Sequence, residues 1–108
     1  MKPFTVNVLT VLQEIPNGRV MTYGQVAKVA GSRQGARQVV RILHSMSKKY
    51  ELPWHRVVTI KGQIALKGEE GVFTQKRLLS DEGIEVNEEN QVDLERYQYH
   101  PNINPGEK

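Results

Sequence analysis

The chain of 108 residues contains no cysteine. That one absence removes disulfides, thiolate nucleophiles, zinc–thiolate sites and iron–sulfur clusters together. Aromatic residues are sparse at 6%, with a single tryptophan. No apolar run approaches the ~20 residues that span a bilayer. Met1-Lys2-Pro3-Phe4 also lacks the apolar stretch of a secretory signal. The three histidines, His44, His55 and His100, are too scattered to form a metal-ligand cluster. The expectation is a cytoplasmic protein with no metal and no other cofactor. A mass of 12.3 kDa and a mean hydropathy of -0.53 suit one soluble domain.

Acid is missing too, but only from one part of the chain. Between Pro16 and Lys67 there are ten basic residues and one acid, Glu51, so this segment carries +9. From Gly68 to the end, four basic and ten acidic residues give -6. A field segregated in this way suits a polyanion on one face, and nucleic acid is the common polyanion. A solvated basic surface without a ligand remains the alternative that charge alone leaves open.

Phe4, Val8, Leu9, Val11, Leu12 and Ile15 recur at helical spacing and predict a first helix ending near Glu14. Pro16-Asn17-Gly18 is a turn. Thr22-Tyr23-Gly24-Gln25 fits a capping box opening a short helix that Gly31 stops. A second start at Ser32 leads into a helix from Gln34 to about Ser45. At 100° per residue, Ala36, Val39, Val40, Ile42, Leu43 and Met46 fall on one side of it. Gln34, Arg37, Gln38, Arg41, His44 and Ser45 fall on the other. Stabilising acid–base pairs four apart are usual on a solvated helix face, and this face has no acid. A short helix, a brief turn and a helix with a basic, amide-rich face make a helix-turn-helix, which implies DNA contact through that face.

Residues His55 to Leu66 read as a β-hairpin turning at Lys61-Gly62, the position of a wing. A helix from Phe73 to Glu82 follows, with Phe73, Leu78 and Leu79 as its buried side and Gly83 as its stop. Ile84–Val86 and Val92–Leu94 alternate around an acidic turn and predict a small closing hairpin. The predicted fold is α+β, a mainly helical winged helix-turn-helix with a small hairpin wing. The domain is expected to span 1–98, followed by a flexible tail over 99–108.

Five pieces of this sequence carry a more specific likeness. Ile15-Pro16-Asn17-Gly18-Arg19-Val20, Thr22-Tyr23-Gly24-Gln25-Val26-Ala27, Ala36-Arg37-Gln38-Val39, Pro53-Trp54-His55-Arg56-Val57-Val58 and Leu78-Leu79-Ser80-Asp81-Glu82-Gly83 stand in an order and spacing that resemble the O6-alkylguanine-DNA alkyltransferase domain. In the repair enzymes the fourth piece reads Pro-Cys-His-Arg, and the cysteine takes the alkyl group. Trp54 in its place resembles the alkyltransferase-like proteins, the branch that binds alkylated guanine without repairing it. The resemblance implies minor-groove binding, flipping of an O6-alkylguanine out of duplex DNA, and marking of the lesion for nucleotide excision repair.

Chemistry agrees with that departure. Alkyl transfer needs a soft, ionisable nucleophile, and the indole N–H of Trp54 is only a hydrogen-bond donor. The resemblance assigns Trp54 to the floor of the pocket for the flipped base, against the plain reading of a core aromatic. It makes Arg37 the finger that fills the vacated space, with Ala36 permitting close approach. Tyr23 would crowd the target's 3′ phosphate, and Lys67 would be a cation at the pocket rim. Gln34, Gln38 and Arg41 complete the expected DNA contacts. His55 and Glu82, the pair that activates cysteine in the enzymes, have no thiol here and are expected to survive as a structural network. Val40 and Met46 depart from the smaller residues of many family members and bear on how closely the helix approaches DNA. A winged-helix transcription regulator on undamaged DNA is the rival reading. Such regulators are typically dimers, and no spare helix after Glu82 offers a dimer contact, so a monomer is expected.

Overall fold

The computed structural model describes residues 1–101. In chain order the elements are α1 (Pro3–Gln13), β1 (Met21–Thr22), α2 (Tyr23–Val29), α3 (Ala36–Tyr50), β2 (Val57–Val58), α4 (Glu69–Asp81) and α5 (Leu94–Tyr97), with a 3₁₀ turn at Trp54–Arg56. The fold is thus mixed and mostly helical, as its sequence class predicts. Pro3 stands at the first turn of α1, where its missing N–H costs nothing. The capping box forms: Thr22 Oγ1 accepts from the Gln25 N–H at 3.0 Å, and the Thr22 N–H donates to Gln25 Oε1 at 3.2 Å. It sets the angle at which β1 hands the chain to α2. Asn7 of α1 then donates to the Ala30 carbonyl at the far end of α2.

The two strands pair in parallel, Met21 with Val57 and Thr22 with Val58. Alternation along a strand sends neighbouring side chains to opposite faces, and the core divides accordingly. Met21 and Val57 join Val8, Leu12, Ile15, Val26, Val39 and Leu43 among α1, α2 and α3. Val20 and Val58 join Ile64, Leu79, Ile84, Val92 and Tyr97 in the C-terminal half. A four-residue sheet therefore couples the helix-turn-helix to everything after it.

Several expectations change. The wing hairpin reduces to one turn, because β2 spends its ladder on β1 rather than on Ile64–Leu66. Within that turn the Thr59 N–H donates to the Gln63 carbonyl at 3.0 Å, and Gly62 adopts φ +77°. Gln63 instead bridges Gln91, while the closing hairpin survives as a single Val86–Val92 bridge. The recognition helix starts at Ala36 with Gly35 at its N-cap, not at Ser32 or Gln34, and continues to Tyr50, where Glu51 takes a left-handed φ of 52°. Val40 is 47% exposed and Phe73 is 65% exposed, so neither joins the core side predicted for it. Phe73 fails because α4 begins four residues earlier and buries Gln75 and Leu79 instead. Tyr99, expected in a loose tail, is fixed: its N–H donates to the Val20 carbonyl at 2.7 Å and its ring packs on the first core. The rest of the predicted tail, from 102 on, lies outside the described residues.

Candidate nucleic-acid interface

The outer face of α3 carries Arg37, Gln38, Arg41, His44 and Ser45, all exposed, and the helix's extra turn adds Lys48 and Lys49. Gln34 is exposed in the turn just before the helix, and Ala36 is half-buried at its first position. Of the ten basic residues from Pro16 to Lys67, only Arg56 is in an ion pair among the described residues. The rest of that charge stays available to a ligand. Met46 turns inward and packs on the first core, so Val40 is the one bulky departure left on the outer surface.

Beside this face lies a cavity of about 310 Å³ lined by Tyr23, Val40, Leu43, His44, Ser47, Trp54, Leu66 and Gln75. Five separate segments meet there. The capping box delivers Tyr23, the 3₁₀ turn delivers Trp54, and α4 delivers Gln75. Trp54 is half-buried, leaning on the first core while forming part of the cavity wall. Burial raises the Tyr23 phenol above its ordinary value. Tyr23 and Trp54, singled out separately in sequence, come together here. Lys67 does not join them: it is exposed, one residue beyond the Leu66 wall. Arg37 and Arg41 also stay outside, on the open face. A larger groove of about 800 Å³ runs over the C-terminal part between Lys61 and residues 85–97, and it shares no wall residue with the first. It lies away from the basic helix and holds both acids and bases.

Behind Trp54 is a bracket of ionic hydrogen bonds. Glu82 accepts from Arg56 Nε at 2.9 Å and Nη2 at 2.7 Å, from the Gly18 N–H at 2.9 Å, and meets His55 Nε2 at 2.7 Å. Arg56 Nη1 also donates to the Ile15 carbonyl at 2.8 Å. Burial alone would push the Glu82 carboxyl up, but the bonds from Arg56, Gly18 and His55 outweigh it and hold it at about 2. The bracket ties the turn after α1 to the end of α4 and fixes the 3₁₀ turn that carries Trp54. Gln75, buried at 2% exposure, supports the same turn by donating to the carbonyls of His55 and Val57.

Sequence reasoning paired His55 with Glu82 but missed Arg56 and Gly18 as their partners. It also missed Val40, Leu43, His44, Ser47, Leu66 and Gln75 as cavity wall. The α3 residues had a usable signal, since 40, 43, 44 and 47 are one helical stripe. Gln75 and Leu66 had none, because long-range packing places them. No group of three potential metal ligands occurs among the described residues. Among the described residues no helix is long and apolar enough to cross a membrane.

Residues 3–84 match the family model described as 6-O-methylguanine DNA methyltransferase, DNA binding domain. The DNA base-flipping protein of Vibrio parahaemolyticus is 41% identical over 94% of this chain and 100% of its own length. Its Escherichia coli K12 namesake is 43% identical over 89% of this chain and 74% of its own. The crystal structure of S. pombe Atl1 in complex with damaged DNA containing O6-carboxymethylguanine superposes with a TM-score of 0.84 at 33% identity, covering 94% of this chain and 98% of that one. By its sequence motifs, its fold and these relatives, the chain belongs to the 6-O-methylguanine DNA methyltransferase DNA-binding-domain family, as an alkyltransferase-like member with tryptophan at the cysteine position.

Proposed function

We propose that the protein binds duplex DNA through the basic face of α3, flips an O6-alkylated guanine into the Trp54 cavity, and holds it there without alkyl transfer. The observation that carries this reading is the cavity itself. It places an indole, a phenol and apolar side chains beside a helix whose cations have no acidic partners among the described residues. Flipped bases are held in such pockets by stacking and edge contacts. With no cysteine in the sequence, and with His55 committed to Glu82, the cavity offers no activated nucleophile.

Arg37, exposed at the start of α3, takes the place of the extruded base, and Ala36 lets the helix approach the minor groove. Gln34, Gln38 and Arg41 contact the backbone, while Tyr23 presses on the target nucleotide's phosphate. Lys67 reaches the rim from its loop. A monomer bound in this way leaves the lesion intact for excision-repair proteins, which are its proposed partners. Relatives named for base flipping, and one solved with damaged DNA, support the reading.

Equilibrium binding to matched duplexes containing guanine or O6-methylguanine tests it, with intact-protein mass recorded after incubation. The expected result is tighter binding to the methylated duplex and no change in mass. Equal affinity for both duplexes, or a gain of one methyl group, overturns the proposal.

A further inference from the structure

The Trp54 cavity has a polar side that the base-pocket reading leaves without a role. His44 and Ser47 lie three residues apart on α3, and both line it. The Ser47 hydroxyl donates to the Leu43 carbonyl, so it turns only lone pairs toward a ligand. Tyr23 is the other ionisable wall residue, and burial keeps its phenol neutral. His44 is the one basic side chain on this wall.

Its charged neighbours along α3 and beside Leu66 in the loop are cationic, while Glu69 and Glu70 open α4 just beyond that loop. Arg41 and Lys48 stand three residues before and four after it on α3, and Lys67 follows Leu66 in the loop. The 3₁₀ turn contributes His55, which is held by Glu82 at 2.7 Å, and α4 contributes only the neutral Gln75 to the wall. His44 itself is in no ion pair among the described residues. At about 310 Å³ the cavity sits at the small end of ligand pockets, so a base and its substituent together press against the wall.

We propose that His44 makes the cavity selective for guanines whose O6 substituent ends in an anionic group, such as carboxymethyl, over those carrying a plain alkyl group. The inference rests on the reading of this cavity as the base pocket. A carboxylate at the end of the substituent accepts a charge-assisted hydrogen bond from the His44 imidazolium. A methyl group finds only Val40, Leu43 and Leu66, which are indifferent to pH.

The test is a ratio. Affinities for duplexes containing O6-carboxymethylguanine and O6-methylguanine are measured at pH 5.5 and pH 8.0 at one salt concentration. Proton-linked contacts to the shared phosphate backbone cancel in the ratio, and the carboxymethyl group stays ionised throughout. The expected preference for carboxymethyl rises about fivefold toward pH 5.5, the size of a partly exposed ion pair. His44→Gln is expected to flatten that dependence, and His44→Lys to hold the preference high at both pH values. A ratio that ignores pH in the wild type, or that keeps its pH dependence in His44→Gln, overturns the inference. If neither lesion binds more tightly than guanine at either pH, the base-pocket reading itself has failed.

Discussion

Glu82 ties three parts of the chain together through one carboxylate, and its ionisation has a direct consequence for stability. Its folded value of about 2 lies below the ordinary 4.5. It therefore contributes stability at pH values above about 4.5, and this is lost as the pH falls toward 2. By linkage the contribution is on the order of 3 kcal/mol. Thermal melts between pH 6 and pH 2.5 should show the midpoint falling steeply below pH 4.5. Glu82→Gln should destabilise at pH 7 by about 3 kcal/mol, since Arg56 then keeps a half-buried charge without its counter-ion, and its acid limb should be shallower. A wild-type midpoint flat across that range would contradict this account.

The roles proposed for Arg37 and Arg41 separate two kinds of binding at the same scale. Arg37→Ala should reduce the preference for lesion over guanine, because a finger supports only the flipped state. Arg41→Ala should weaken both duplexes alike and lower the slope of log K against log salt by about one unit. Anisotropy titrations over a salt series distinguish them. An Arg37→Ala variant that changed only the slope would remove the finger role.

Among the elements, the local signals proved legible and the non-local ones did not. The capping box at Thr22 and Gln25 is a four-residue pattern, and it forms as written. Thr22→Ala should cost about 1 kcal/mol in urea unfolding. Gln25→Ala should cost more, because Gln25 also receives Gln98 and donates to the Tyr99 carbonyl, pinning the C-terminal segment on β1. The wing was misread because Val57 and Val58 find their partners at Met21 and Thr22, thirty-six residues earlier, a pairing that no hairpin signal encodes. Val40 was misplaced by its apolar character: it lies on the helix stripe that faces the cavity, not the core. Gly62, by contrast, was read correctly as a turn. A Cβ there would sit 2.2 Å from the Val92 carbonyl oxygen, on a backbone at φ +77°. Gly62→Ala should therefore cost at least about 2 kcal/mol. A melt unchanged from wild type would mean that this turn does not hold the C-terminal half in place.

At the scale of the whole molecule, the proposed function divides the work of binding between the basic face and the cavity, and every wall residue of the cavity except Gln75 lies in the +9 segment. On that reading the basic face supplies affinity for any duplex, and that affinity should fall steeply between 50 and 200 mM salt. The cavity would supply discrimination, which should change little over the same range. The candidate site was half legible for a related reason. Its chemistry-bearing residues, Tyr23, Trp54, Arg37, His55 and Glu82, stand out by type and motif. Leu66 and Gln75, which close the cavity, are ordinary residues placed only by the folded chain.

Trp54 is the chain's only tryptophan, so emission excited at the red edge, clear of the four tyrosines, comes from this one side chain on the cavity wall. Titrating that emission with duplexes differing only in guanine or O6-methylguanine shows whether the modified base reaches the indole. A base stacked against the indole contributes roughly 1–3 kcal/mol. The account predicts a large change in emission with the methylated duplex and a much smaller one with guanine. Emission that responds equally to both, or to neither, would contradict it and leave Trp54 as part of the core.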